Sequence, residues 1–101
     1  MEVATSIHGG KAIIQLHGDI DSPGTRDYLR AVNLALQDRT VNEIEVDLGA
    51  LRQFDSVGCG LLLILRERAR QSGKPVALAR APEAVKQTLG ALRLREMFSL
   101  N

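Results

Sequence analysis

The sequence predicts an α/β fold with a mixed β-sheet and crossover α-helices, in the order β-β-α-β-α-β-α. Short alternating or apolar segments, which are typical of strands, recur along the chain. Between the later ones lie longer segments in which apolar residues repeat every three or four positions, as on one face of a helix. The first two strand segments are separated by a Gly-Gly pair and therefore form a hairpin. Strands that alternate with helices favour parallel pairing through crossover connections.

The predicted hairpin occupies the N-terminal part of the chain. Alternation over residues 1–7 predicts a short strand, and residues 12–17 (AIIQLH) predict the strand that returns. Gly9 and Gly10 lie between them. A two-residue hairpin turn needs positive φ angles, which glycine adopts readily, so this pair predicts the turn.

The first helix and the third strand follow the hairpin. Residues 21–38 predict a helix that Ser22 caps and in which Pro23 takes the first helical position. Its apolar residues recur at positions i, i+3 and i+7, which are Leu29, Val32 and Leu36. Residues 43–48 (EIEVDL) alternate acidic and apolar side chains and predict a strand.

The second half of the chain continues this alternation. Residues 54–71 predict the second helix, with Gly73 as its C-terminal cap, and residues 75–79 (PVALA) predict a strand. Residues 81–93 predict the third helix, with Pro82 near its start. One face of this helix is apolar and carries Val85, Leu89 and Leu92. What remains at the C-terminus is enough for a stub of strand.

Length and composition restrict the function. The 101 residues suit one domain spanning 1–101. A net charge of +1 gives no electrostatic argument for binding nucleic acid or an anionic membrane. Cys59 is the only cysteine, which excludes an intramolecular disulfide and a cysteine-based metal cluster. The longest apolar run, Leu61 to Leu65, is too short to span a membrane, and the N-terminus lacks the features of a signal peptide, so we expect a cytoplasmic protein.

The start of the second helix is unusual, because the segment Phe54–Gly60 (FDSVGCG) places two glycines in its first turns. Each glycine costs about 1 kcal/mol relative to alanine in a helix interior. With residues spaced about 100° apart around the axis, one face is apolar and predicted to be buried: Gly58, Leu61, Leu62, Leu65 and Ala69. The opposite face carries Ser56, Cys59, Gly60, Leu63, Glu67 and Arg70.

The two faces predict different roles for the two glycines. Gly58, on the buried side, is expected to allow close packing against a strand, whereas Gly60 leaves space for a partner backbone or a nucleotide. Asp55 and Ser56, taken alone, are explained by helix capping. A phosphate on Ser56 would lie at a helix N-terminus, where free N–H groups favour negative charge, and would add about two negative charges to a contact surface.

The segment VDLGALRQFDSVGCGLLLILRERAR, residues 46–70, resembles the anti-sigma factor antagonists, which are bacterial members of the STAS domain family. Their pattern Asp-Ser-Ser/Thr-Gly-Leu-Gly opens a helix, and residues 55–60 match it here. Residues 16–21 (LHGDID) are similar to the family's acidic segment after the second strand. Residues 81–94 (APEAVKQTLGALRL) are similar to its Ser-Pro-x-Val-x-x-x-Leu helix. The resemblance covers nearly the whole chain and implies a STAS fold.

The resemblance also implies a mechanism of partner switching. In this family an anti-sigma factor with a histidine-kinase-like ATPase fold binds the antagonist and phosphorylates the serine after the motif aspartate, which matches Ser56. Phosphorylation releases the antagonist, and a PP2C-type phosphatase resets it. ATP and Mg²⁺ belong to the partner, so we expect this chain to be no enzyme and to hold no cofactor. Its two histidines lack the spacing of metal ligands, so we expect no metal site. We also expect the chain to be a monomer when free. The implied contact residues are Asp19, Asp21, Asp55, Ser56, Val57, Gly58, Cys59 and Gly60. Helical spacing adds Leu63, which shares a face with Ser56 and would supply apolar contact.

The sequence departs from the family pattern in three places. Val57 stands where the family has a second Ser or Thr, which leaves Ser56 as the only hydroxyl in the motif. Cys59 replaces the usual leucine and is either a small apolar group on the contact face or a packed free thiol. The sequence also stops before the family's usual last helix, so either that helix is dispensable or the partner surface differs.

Other functions are compatible with parts of the same sequence. A serine hydrolase is disfavoured, because the motif lacks the first glycine of Gly-x-Ser-x-Gly and only His8 and His17 could act as the base. A STAS subunit of an ATP-driven lipid transporter would dock through the same helix region without a switch. An interaction module that is never phosphorylated is a third alternative. The charged segment 66–70 (RERAR) is expected to be a solvated helix end.

Overall fold

The computed structural model describes residues 1–100, and its elements follow the predicted order. A short 3₁₀-helix and a two-residue strand come after the third helix. The bounds are β1 Glu2–His8, β2 Lys11–Gly18, α1 Ser22–Gln37, β3 Glu43–Leu51, α2 Ser56–Gln71, β4 Val76–Ala79, α3 Glu83–Ala91, the 3₁₀-helix Arg95–Met97 and β5 Ser99–Leu100.

The strands form one mixed sheet in the order β1-β2-β3-β4-β5, which confirms the predicted α/β class. β1 runs antiparallel to β2 across the predicted turn, where Gly9 and Gly10 have φ angles of +55° and +87°. The other neighbouring strands are parallel. Three crossovers connect β2 to β3, β3 to β4 and β4 to β5, each to the next strand on the same side. Because crossovers of this kind are right-handed, α1, α2 and α3 all lie on one face of the sheet.

The hydrophobic core fills the space between that face and the helices. Alternate residues of the three central strands point into it, namely Ala12, Ile14, Leu16, Ile44, Val46, Leu48 and Leu78. The helices contribute Tyr28, Val32, Ala35, Leu61, Leu62, Leu65, Ala69, Val85 and Leu89. Tyr28 is fully buried, and its hydroxyl donates a hydrogen bond of 2.9 Å to the carbonyl oxygen of Leu61. This bond links α1 to α2, and burial raises the pKa of Tyr28.

The ends of the helices differ in part from the prediction. Asp21, and not Ser22, caps α1, because the Asp21 backbone is extended and its carboxylate accepts the N–H of Gly24 at 2.8 Å. Gly73 follows the end of α2 with a φ of +69°, which confirms its predicted role. Leu92 was expected on the apolar face of α3, but it lies beyond the end of that helix and is 47% exposed.

The arginines of residues 66–70 form contacts that the sequence did not predict. The Arg66 side chain donates a hydrogen bond of 2.9 Å to the carbonyl oxygen of Met97, and Arg68 donates one of 3.0 Å to the side chain of Asn33. These bonds tie α2 to the C-terminal segment and to α1. The expectation of a merely solvated helix end was therefore wrong for these two residues.

The sheet face without helices carries a buried carboxylate. Asp47 on β3 is 8% exposed and accepts hydrogen bonds from the Arg80 side chain at 2.8–3.1 Å and from the N–H of Gly49 at 3.0 Å. Burial raises the pKa of Asp47, but the hydrogen bonds from Arg80, Gly49 and Gln15 together outweigh it and hold that pKa below its usual value. Within residues 1–100, no helix combines the length and the apolar composition that a membrane span requires.

Candidate functional site

The candidate site lies at the carboxyl ends of the neighbouring strands β2 and β3. Because these two strands are parallel neighbours, the segments that follow them, residues 19–21 and 52–55, leave the sheet side by side. The N–H of Arg52 donates to the carbonyl of Gly18 at 3.1 Å, and its side chain forms an ion pair of 3.2 Å with Asp19. The two loops are thus joined directly beneath the start of α2.

Asp55 sets the geometry of that helix start. Its backbone is extended, and its carboxylate accepts the N–H groups of Val57 at 3.0 Å and of Gly58 at 3.4 Å. Its carbonyl oxygen accepts the N–H of Cys59 at 3.1 Å and so begins the helical ladder. Asp55 is therefore the N-cap, and Ser56 is the first helical residue, with its side chain exposed.

The structure confirms that the two glycines have different surroundings. A Cβ atom at Gly58 would lie 2.6 Å from the ring of Phe54 and 2.9 Å from the end of the Ile20 side chain. Gly58 therefore permits close packing, but against these two loop residues and not against a strand as expected. A Cβ atom at Gly60 would meet no atom of the described protein within 4 Å. The fold does not require glycine at this second position.

Several of the predicted contact residues share one exposed surface. We call this surface the α2 outer face and define it by Ser56, Val57, Gly60, Leu63 and Ile64. Val57 is 56% exposed and Ile64 is 37% exposed, while Leu63 and Gly60 are half-buried. Ile64 was missed in the sequence, although it lies seven residues after Val57 and so on the same side of the helix.

Cys59 does not belong to the α2 outer face. Only 2% of its surface is exposed, and it packs in the hydrophobic core, so its placement on a contact face was wrong. Burial raises the pKa of its thiol, with a smaller contribution from the Asp55 carboxylate. Gly58 is buried as well and cannot touch a partner directly. Of the two readings of Cys59, the structure supports the packed free thiol.

The acidic residues of the neighbouring loop have roles within the fold. Asp19 is exposed and paired with Arg52. Asp21 caps α1 and accepts a hydrogen bond of 2.7 Å from the amino group of Met1. Between them, Ile20 reaches the first turn of α2 at Gly58. The loop therefore borders the candidate site mainly through Ile20.

The capping contacts change the expectation about a phosphate on Ser56. That expectation assumed free N–H groups at the helix start, but the Asp55 carboxylate already accepts those of Val57 and Gly58. A phosphate on Ser56 would have to displace this carboxylate or lie beside it as a like charge. The phosphate would therefore either remove the helix cap or repel a neighbouring carboxylate.

Histidine, cysteine and acidic side chains do not converge into a metal-binding group anywhere in residues 1–100. The geometry of the site, with one exposed hydroxyl beside apolar groups and an open glycine position, suits contact with a macromolecule better than enclosure of a small ligand.

Comparisons with known proteins identify a family and similar folds. A family model described as "Mlab, STAS domain" matches residues 3–99. An anti-sigma factor antagonist from Mycobacterium paratuberculosis is 21% identical with a TM-score of 0.78, over 98% of this chain and 83% of that one. An RsbS variant from Moorella thermoacetica is 16% identical with a TM-score of 0.85, over 100% and 86%.

The structure is also similar to the Bacillus cell fate determinant SpoIIAA in its phosphorylated form. The identity is 17% and the TM-score is 0.76, over 99% of this chain and 91% of that one. SpoIIAA, an anti-sigma factor antagonist, has also been solved unphosphorylated. At these identities, all of the structural likenesses concern the fold.

Proposed function

The chain belongs to the STAS domain family, and we propose that it acts as an anti-sigma factor antagonist in the cytoplasm. The family model confirms the resemblance seen in the sequence for the family, and the solved structures confirm it for the fold. In the proposed cycle, the unphosphorylated chain binds an anti-sigma factor that is also a serine kinase, through the α2 outer face. Phosphorylation of Ser56 then releases it and so regulates transcription or another output.

One observation carries this proposal: Ser56 is an exposed hydroxyl one turn away from Gly60, where the helix surface is open. A helix gains about 1 kcal/mol when such a glycine is replaced by alanine, and the packing of this fold gives no reason against alanine. A partner that approaches the helix backbone at Gly60 supplies a reason. The exposed side chains of Val57 and Ile64 supply apolar contact around it.

Release on phosphorylation follows from the electrostatics of the first turn. The phosphate adds about two negative charges next to the Asp55 carboxylate, whose hydrogen bonds to the helix start are already made. These charges would need to be desolvated for the apolar contact at Val57 to form again. Because Ser56 is exposed and engaged in no packing, the fold itself is expected to remain intact.

The chemistry of the cycle belongs to the partners in this proposal. The kinase partner, with a histidine-kinase-like ATPase fold, would hold ATP and Mg²⁺, and a PP2C-type phosphatase would remove the phosphate. This chain would serve as substrate and binding module.

Affinity purification from the native host with phosphosite mapping tests the proposal first. The captured kinase is then incubated with the chain and Mg-ATP, and the phosphate is located by mass spectrometry. We expect it on Ser56. A kinase that binds the chain tightly but never modifies Ser56 would refute the switch.

Binding measurements with charge variants test the release step. We expect Ser56→Ala to keep the affinity and Ser56→Asp to lower it at least about tenfold, which corresponds to about 1.4 kcal/mol. Ser22→Asp is a matched control, because Ser22 is also exposed and also follows a capping aspartate at the first position of a helix. It should leave the affinity unchanged.

A second candidate function is supported by Val57. An isopropyl group that is 56% exposed offers a permanent apolar contact and suits a constitutive interaction. In that case the chain would be a non-switching STAS subunit of an ATP-driven lipid transporter. Equal affinities of Ser56→Ala and Ser56→Asp, together with capture of a transporter ATPase, would favour this candidate.

A further inference from the structure

β1 is a long edge strand with few of the features that usually prevent edge-to-edge pairing, because Glu2 at its start is its only Asp, Glu, Lys or Arg residue. It pairs with β2 over seven consecutive residues and lies at the end of the strand order, so no strand within residues 1–100 pairs with its other side. It contains neither Pro nor Lys, and every residue in it except Val3 is exposed. The opposite edge strand, β5, covers two of the described residues, Ser99–Leu100. Natural proteins usually protect long edge strands, so β1 is a pairing surface that this fold leaves open.

The turn determines which backbone groups of β1 point outward. His8 and Lys11 close the two-residue turn, and such a closing pair exchanges both of its backbone hydrogen bonds. Bonded and non-bonded pairs alternate along an antiparallel ladder, so every second residue from His8 back to Glu2 bonds to β2. The intervening residues direct their N–H and C=O groups away from the sheet. These residues are Val3, Thr5 and Ile7.

We propose that β1 pairs in antiparallel orientation with β1 of a second copy of this chain, centred on Thr5. In this register Thr5 faces its own counterpart, and Val3 faces Ile7. All outward backbone groups of both strands are then used, with two hydrogen bonds for each facing pair. A shift of two residues in either direction would leave either Val3 or Ile7 opposite a residue that is not one of Val3, Thr5 and Ile7 of the second copy.

The side chains of β1 are complementary to themselves in the same register. Ile7, which is 47% exposed, would be covered by Val3 of the second copy. Glu2 would face His8, and its carboxylate can accept a hydrogen bond from the imidazole, which carries an N–H donor in each protonation state. This match at both ends of the strand favours a second copy over an unrelated strand.

The proposed dimer is compatible with partner binding. The symmetry axis at Thr5 would be perpendicular to the sheet, so two five-stranded sheets would join into one, with all helices on the same face. α2 follows β3 and precedes β4, away from the β1 edge. In this proposal the chain is a symmetric dimer with two α2 outer faces and not the monomer that we expected from the sequence.

Sedimentation equilibrium of the full chain tests for the dimer. The expected mass is twice 11.0 kDa. A mass that stays at 11.0 kDa up to a protein concentration of about 1 mM would overturn the proposal, because that concentration reveals even weak dimers.

A disulfide trap tests the register. In a bonded pair the two Thr5 Cα atoms would be about 5.5 Å apart, within reach of a disulfide, so Thr5→Cys should cross-link under oxidation. Ala4→Cys is the control. In this register Ala4 faces Ser6 of the second copy, so the two Ala4 residues are offset by two positions along the strands. Their Cα atoms would be about 8 Å apart, which is beyond the reach of a disulfide. Cys59 is buried and does not compete. Cross-linking of Ala4→Cys but not of Thr5→Cys would refute the register.

A charge reversal tests the facing of Glu2 and His8. His8→Glu places two carboxylates opposite each other at both ends and should weaken the dimer at least tenfold. The double variant Glu2→Lys with His8→Glu should restore it. Circular dichroism confirms that each variant is folded. A double variant as weak as His8→Glu alone would show that dimerisation uses another surface, which would also overturn the proposal.

Discussion

Replacement of Gly60 by alanine should stabilise the free protein. Gly60 is the fifth residue of α2, and a Cβ atom there would meet nothing within 4 Å. The only large term is then helix propensity, which favours alanine by about 0.8–1 kcal/mol. For a domain of this size, a gain of about 1 kcal/mol raises the melting temperature by roughly 4 °C. Urea and thermal unfolding measure both quantities.

Gly58→Ala is the matched control in the same helix. The propensity gain is similar, but the new Cβ atom would lie 2.6 Å from Phe54 and 2.9 Å from Ile20, far inside the usual contact distance of about 3.5–4.0 Å. Overpacking of this kind costs about 1–3 kcal/mol, so the net effect should be a loss of stability of up to about 2 kcal/mol.

The two variants together test whether the helix surface at Gly60 is open to a partner. If Gly60→Ala loses stability, the position is not open and the surface assigned to a partner does not exist as described. If Gly60→Ala is stabilised as expected, the same variant should bind the kinase partner more weakly, since its methyl group fills the space left for the partner. Stabilisation with unchanged partner affinity would remove Gly60 from the contact surface.

Further outcomes follow from the buried polar groups and the thiol. Cys59 should react with a thiol reagent such as DTNB only slowly in the native state and rapidly in urea, because it is 2% exposed and burial raises its pKa. Fast native labelling would contradict its core position. Tyr28→Phe should lower the free energy of unfolding by about 1 kcal/mol, because the hydrogen bond to Leu61 is lost; an unchanged value would show that this bond contributes nothing. Asp47→Asn should lower the free energy of unfolding by about 1–2 kcal/mol near neutral pH. This value is modest because Arg80 is exposed and water screens its charge. The folded protein lowers the pKa of Asp47, so this contribution exists above its usual pKa of about 3.9 and disappears as the pH falls through the lower folded value. Urea unfolding of both proteins at neutral and acid pH should therefore show a shrinking difference, and a constant difference would contradict the assignment.

Local patterns were sufficient for most of the secondary structure. The Gly9-Gly10 turn, the alternation in β3 and the position of Gly73 are properties of short segments, and each was confirmed. The cap of α1 was misplaced by one residue because Asp21 and Ser22 are both good caps, and only the backbone conformation distinguishes them.

The candidate site was predictable only in part. Its helix start, the exposed Ser56 and the different surroundings of Gly58 and Gly60 followed from the motif and from helical spacing. Cys59 was misplaced because a helical wheel divides residues by angle alone. Whether a residue near the boundary is covered depends on how the helix lies on its neighbours.

The sequence by itself determined the order of the elements, the family and the serine that the first turn of α2 presents, because these depend on local periodicity and on a continuous motif. Only the tertiary structure decided which groups face one another across distant segments. The Asp47–Arg80 pair, the burial of Cys59 and the unpaired edge of β1 arise from residues far apart in the chain. Their contacts depend on strand order and helix packing, which no short segment specifies.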